Sequence, residues 1–274
     1  MNTPPPLTDR AALKRQRARA AAGTPALFLH DAALDEVQDR LAMVNKSFTA
    51  PGIVTGWPAP WAGAFPNAHI VADDDTLALD PGAYDLIIHA LCLHWANDPV
   101  GQLIQSRRAL RPDGLFLCVT LGGTTLHQLR ACLAEAEAEV TGGLSPRIAP
   151  MGELRDMGGL LQRAGLTLPV ADVSPLTASY ADAFALMRDL RAMGEGNAMQ
   201  ARPRHVTRPS ILRRASEIYT QRLAGPDGRI PATYDLICLT GWSPDPSQPQ
   251  PLRPGSASAR LADALRTDET KLSD

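Results

Sequence analysis

The chain has 274 residues, 45% of them apolar and 20% charged, with a formal net charge of −2. That length buries a sizeable core, and so even a charge balance leaves no electrostatic footprint for nucleic acid or an anionic surface. No apolar run reaches bilayer-spanning length, which predicts a soluble protein without a membrane span.

Residues 1–8 open with prolines and are expected to be flexible. "DRAALKRQRARAAAG" reads as one surface helix over 9–22, capped by Thr8 or Asp9. Its arginines resemble a transit peptide, but Asp9 precedes the basic run and no Ser-rich stretch follows. Ala33, Val37 and Leu41 recur at helical spacing within 31–43. "GIVTG" is a short strand running into a loop, where Pro58 and Pro60 forbid a long helix. "NAHIVADD" holds a second short strand and "YDLIIHALCLHW" a buried strand with a turn. An amphipathic helix follows over 98–111, ended by "RPDG", and "LFLCVTL" is the next strand. The order strand, helix, strand predicts a parallel α/β sheet.

Further along, "GGTTLHQLRACLAEAEAEV" is a helix with Thr124 or Thr125 as its cap and a solvated face at Glu135, Glu137 and Glu139. "MGELRDMGGLLQRAG" is a helix and "LTLPVADV" a strand. "YADAFALMRDLRAMG" and "PSILRRASEIYTQRLA" are helices, and "PATYDLICLTGW" is a last, alternating strand. The organisation expected is one domain over 9–243, with a helical cap over 176–230 and a low-complexity tail over 244–274. Cys92, Cys118, Cys132 and Cys238 lack metal or CxxC spacing and are expected to be reduced and buried, which suits a bacterial cytoplasm or, in a eukaryote, the mitochondrial matrix.

The stretch "VADDDTLALDPGAYDLIIHALCLHWANDPVGQLIQSRRALRPDGLFLCVTL" resembles the second half of a class I S-adenosylmethionine (SAM)-dependent methyltransferase. The likeness rests on the acidic loop Asp73–Asp75, on Asp85–Ile87 and on Leu110–Gly114. "LGGTTLHQLR", "GGLSPRIAPMGELRDMGGLLQRAG", "LMRDLRAMGEGNAM" and "GRIPATYDLICLTGW" resemble one branch of it. That branch contains the complex I assembly factors that hydroxylate an arginine, with malonyl-carrier-protein O-methyltransferases as more distant cousins. The resemblance implies a Rossmann-like fold, mostly parallel with an antiparallel last strand, and SAM as cofactor. It also implies a protein partner: a respiratory-complex subunit or an acidic carrier protein.

Within that family a Gly-rich turn after the first strand lets backbone approach the cofactor. Here only Gly52 and Gly56 stand in "PGIVTGWP", followed by a bulky Trp57 and by Pro58, which lacks an N–H. About 30 residues separate this strand from "YDLII", roughly half of what two βα units and a strand need. One βα unit is therefore expected to be missing, and the ribose-binding carboxylate with it. Asp73 and Asp74 match the acidic pair near the adenine, and His89 and His94 flank the end of the next strand. These six residues, Gly52, Gly56, Asp73, Asp74, His89 and His94, are the candidate cofactor site. Arg202, Arg204, Arg208, Arg213 and Arg214 form a candidate partner surface, and Glu195 and Asn197 a lid over the crevice. No His and carboxylate spacing suits a metal, and no catalytic residue is assigned, since methyl transfer rests mainly on positioning. Two readings stay open: an enzyme acting on a protein or carrier-bound acceptor, and a scaffold that binds a respiratory-complex subunit.

Overall fold

The computed structural model of the chain describes residues 5–249, Asp263 and Thr267; most of the tail expected from 244 onward lies outside the described residues. The chain divides into Met1–Pro244, which carries every element below, and Asp245–Asp274. In order the elements are α1 (Arg10–Ala21), α2 (Phe28–Met43), β1 (Pro51–Thr55), α3 (Pro58–Ala64), β2 (His69–Val71) and β3 (Tyr84–Ala90). A 3-10 turn (Leu93–Trp95) leads to α4 (Pro99–Ala109), β4 (Leu110–Gly122), α5 (His127–Thr141), α6 (Leu154–Arg163), β5 (Thr167–Tyr180), α7 (Ala183–Ala192), α8 (Pro209–Leu223) and β6 (Ile230–Trp242). Among the described residues no helix is long and apolar enough to cross a membrane.

Local chemistry sets the helix boundaries. Asp9, Asp98 and Asp182 cap α1, α4 and α7, each accepting a hydrogen bond from a first-turn backbone N–H, which satisfies a donor that the helix itself cannot. Pro58, Pro99 and Pro209 occupy the first turns of α3, α4 and α8, where the missing N–H costs nothing. Neither Thr124 nor Thr125 caps α5. Leu126, in a left-handed conformation, takes that place, because both threonines are bound to Asp235 of β6.

The sheet order is β2-β1-β3-β4-β6-β5. β2, β1, β3 and β4 run parallel, and β6 is antiparallel to both neighbours, as expected. The first half is short: a seven-residue helix and a three-residue strand lie between β1 and the segment that leads to β3. β5 is longer than "LTLPVADV" suggests, pairing with β6 as far as Tyr180. The cap helices therefore begin at α7 rather than at residue 176. "VSPLTASY" holds one proline, Pro175, and exposed and half-buried residues alternate through it with the period of an edge strand.

Alternation along the central strands feeds two cores. Leu86 and Ile88 of β3, with Leu115 and Leu117 of β4, face α2, α5, α7 and α8. Ile87, Phe116, Cys118 and Leu239 face α4 and α6 through Leu103 and Leu161. Each such fully buried side chain contributes about 1.5–3 kcal/mol relative to exposure. α1 docks separately through Leu13, which clusters with Trp95, Ala149, Ala198 and Met199. Thr8 is tied in just before it, bridging to Met199 and bonded to Asn97.

Candidate functional site

Ligands of open α/β sheets bind at the carboxyl ends of the parallel strands. At that end of β1, Arg17 of α1 lies directly over Gly56. A Cβ at position 56 would be driven into the guanidinium, so the glycine is needed here for a close approach by the protein itself. Arg17 Nη1 donates to Asp73 Oδ1 at 2.8 Å, and the two side chains are only 9% and 5% exposed. Arg10 adds bonds to the Asp73 carboxylate and carbonyl, and Lys14 pairs with Asp74 at 2.7 Å. Burial raises the Asp73 pKa, but the charges of Arg17 and Arg10 outweigh it and hold the carboxyl below its usual range. Trp57 closes the flank, its indole N–H donating to the Met193 carbonyl at 3.1 Å. Gly194, at φ +75°, lets the following turn pack onto Arg17 and Trp57 where any Cβ would intrude. Two Arg17 donors, Nε and Nη2, are buried without an acceptor.

A second concavity opens beneath the cap. It is a chamber of about 310 Å³, walled by apolar side chains that include Leu121, Leu129, Leu133, Met187, Leu190 and Tyr234. Glu195 and Trp95 line it as well, and Arg147, Arg191 and Arg202 also border it. Glu195 Oε2 accepts from the Trp95 indole at 2.7 Å and contacts His94 Nε2 at 3.1 Å. Its other oxygen carries no hydrogen bond among the described residues. Burial pushes the Glu195 pKa up, but the His94 ring, Arg17 and the Trp95 bond more than reverse this, so the group stays anionic. Arg147 is not free: it forms a two-pronged pair with Glu137 and bonds Thr207. Arg202 is held by Asp9. The chamber is thus a mainly apolar sleeve whose one carboxylate, Glu195, keeps an acceptor to spare.

The methyltransferase-domain family pattern matches residues 52–118, from β1 into β4. A malonyl-[acyl-carrier protein] O-methyltransferase of Methylovorus sp. is 32% identical over 227 residues, covering 80% of this chain and 72% of that protein. The chain belongs to the methyltransferase family. Within that family it is also 38% identical over 205 residues to the rat (Rattus norvegicus) protein named mitochondrial arginine-hydroxylase NDUFAF5, covering 75% of this chain. The chain spans only 60% of that relative's length. Among solved structures, the Burkholderia thailandensis 1,6-didemethyltoxoflavin-N1-methyltransferase with bound S-adenosylhomocysteine superposes with a TM-score of 0.46 at 14% identity, covering 89% of this chain and 94% of that one.

The cofactor of the methyltransferase family does not fit the β1 turn as it stands. The space above Gly56, where backbone and adenosyl group would meet, holds the Arg17 guanidinium, and Asp73 is consumed by two arginines. The other sequence-derived positions are dispersed. Gly52 lies in mid-strand, where a Cβ would strike Ile87 and Tyr84, so it is a packing glycine. Asp74 is half-exposed beside Lys14. His89 is 0% exposed, with Nε2 on Gln102 at 2.9 Å and Nδ1 at 3.2 Å from Cys92 Sγ. That pair has the spacing of a nucleophile and its base, but burial pushes the His89 pKa down to about 4 and the Cys92 thiol up. Neither is poised for catalysis at neutral pH. His94 instead joins the chamber's network, through Thr120 and Glu195.

Of the five arginines of the expected partner surface, three are paired within the chain. Arg202 and Arg204 share Asp9, and Arg214 pairs with Glu139 and Glu217. Arg208 precedes α8, and Arg213 lines a shallow groove beside Phe184. The glutamates expected on a solvated face are likewise engaged. Glu137 is 4% exposed, while Glu135 pairs with Arg222 at 2.5 Å. Arg10 and Arg17 were the residues that sequence reasoning missed. Their partner lies 56 or more positions away, with no local pattern to mark it.

Proposed function

We propose that this methyltransferase-family protein binds a segment of a partner protein and takes a basic side chain of that segment, an arginine, into the chamber under the cap. The unpaired oxygen of the Glu195 carboxylate, a side chain only 13% exposed, carries the reading. An anion in an apolar sleeve attracts a guanidinium more strongly than it would in water, the aliphatic stem suits the leucine walls, and the Trp95 face adds a cation–π contact. The name of the mitochondrial relatives, arginine-hydroxylase, agrees with such an acceptor. A respiratory-complex subunit is the partner this reading favours over a carrier protein, because an acidic pantetheine-bearing group would meet Glu195 with like charge.

The test is titration with a peptide carrying one central arginine. Wild type binds it, and Glu195→Gln, which keeps the shape and removes the charge, weakens binding by ten-fold or more; equal affinities refute the assignment. A parallel titration addresses the cofactor. With Arg17 over Gly56, SAM and S-adenosylhomocysteine are expected to show no saturable binding up to millimolar concentration. One observation favours a second reading in which α1 withdraws to admit the cofactor: the buried, unpaired Nε and Nη2 of Arg17, each costing about 1–3 kcal/mol if left unsatisfied. Micromolar binding by wild type would establish that reading instead.

A further inference from the structure

The chamber does not end at its rim. A second hollow, of about 500 Å³, lies between α1 and the end of α7, lined by Gln16, Arg19, Thr24, Arg191, Gly196 and Asn197 among others. Arg191, Gly196 and Asn197 line both spaces, so the two adjoin at the 194–197 turn. That turn is fixed against α1. Gln16 Nε2 donates to the Asn197 carbonyl at 3.0 Å, and a Cβ on Gly196 would lie 2.8 Å from Gln16 Oε1. The floor of the groove is therefore rigid, while its charge is unspent. Five other arginines are neutralised within the chain: Arg10 and Arg17 by Asp73, Arg202 and Arg204 by Asp9, and Arg147 by Glu137. Arg19 and Arg191, both exposed, have no side-chain hydrogen bond or ion pair among the described residues, and no acidic residue lines this hollow.

We propose that this groove holds the chain flanking the inserted arginine, and that Arg19 and Arg191 select acidic residues in that flank. This rests on the chamber reading above and adds the partner's chemistry to it: a basic residue set in an acidic neighbourhood. The charge pattern is divided accordingly, with the Glu195 carboxylate in the chamber, the unpaired Arg191 at the border that the two spaces share and the unpaired Arg19 in the groove alone. The polarity also explains discrimination. A segment of uniformly basic character would satisfy Glu195 but meet repulsion in the groove, and a uniformly acidic one would meet Glu195 with like charge.

The experiment uses the full chain and two fluorescein-labelled nonapeptides, read by anisotropy at 50 mM and 500 mM NaCl. Both have a central arginine; one is flanked by aspartates and the other by serines. The aspartate peptide is expected to bind at least ten-fold more tightly at 50 mM, and the advantage to shrink at 500 mM as the charges are screened. Arg19→Glu touches only the groove and lies on an exposed face, so circular dichroism should show an unchanged fold. It should abolish the advantage while leaving the serine peptide's affinity within two-fold. Equal binding of the two peptides by wild type, or an advantage that survives Arg19→Glu, overturns the groove and leaves the chamber standing. Failure of both peptides to bind overturns the chamber reading, and the groove falls with it.

Discussion

Gly56 and Arg17 account for one another. A glycine after the first strand reads as a cofactor turn, and its bare Cα is indeed used for a close approach, but by a guanidinium from the same chain. The arrangement predicts a coupling that no cofactor-binding role would produce. In Gly56→Ala the new methyl meets a guanidinium that cannot swing away, because Asp73 holds it at 2.8 Å. Overpacking of this kind costs about 1–3 kcal/mol. Arg17→Ala alone strands part of the Asp73 charge and costs about 3 kcal/mol, less if Arg10 compensates. Because the clash needs both side chains, Gly56→Ala introduced into Arg17→Ala should cost less than about 0.5 kcal/mol, a non-additivity that urea denaturation of the four proteins measures directly. Equal costs in both backgrounds would mean that the guanidinium does not rest over Gly56.

At the scale of elements, α1 shows what could and could not be read from the chain. Its existence, its span and its Asp9 cap follow from local pattern, as do α2, α4 to α8 and the alternation of the central strands, whereas the short α3 behind Pro58 does not. The antiparallel last strand and the shortened first half were legible from the family resemblance and the spacing before β3. What α1 does was not legible. Its basic residues look like a solvated face, and only the fold shows that Arg10 and Arg17 turn inward to Asp73 while Lys14 reaches Asp74. Long-range pairing of charges leaves no periodic trace. For the same reason Glu137 reads as solvated although Arg147 and Ser145 enclose it, and β5 reads as ending before Pro175. The docking of α1 gives a prediction of its own. The helix carries several trypsin sites, yet cleavage requires it to leave the body. Asp73→Asn removes the charge that holds two of its arginines, so trypsin under native conditions should cut within residues 10–19 of the variant at least ten times faster than in wild type, as followed by mass spectrometry. Equal rates would show that Leu13 and the Thr8 bridge, rather than the ion pairs, retain the helix.

For the molecule as a whole, two buried histidines on different elements set the response to acid. His30 of α2 accepts the Trp61 indole N–H through Nδ1 at 3.1 Å, and His89 sits in β3 against Gln102. Burial pushes each down from 6.5 to about 4, assisted at His30 by the charges of Arg17 and His94 and resisted at His89 by the Gln102 bond. In the unfolded chain both rings take up a proton near pH 6.5, whereas in the folded protein they do so only near pH 4. Between those limits the unfolded state binds more protons, so stability rises with pH across the window and is flat above about pH 7 as far as these groups are concerned. Each group fully in that window contributes a slope of about 1.4 kcal/mol per pH unit, hence close to 3 kcal/mol per unit for the pair. The depressed carboxylates of Asp73 and Glu195 act in the same sense but lower, their stabilisation being lost only as pH falls below the ordinary carboxylate range. The two contributions therefore separate by pH. Urea unfolding at half-unit steps from pH 4.5 to 7.5 should give the steep rise in wild type. His89→Gln, which removes one ionisable ring and keeps an amide to face Gln102, should roughly halve the slope between pH 5 and 6, even if it lowers stability at every pH. A wild-type curve flat over that interval would show that the rings are protonated, or reached by water, in the folded protein.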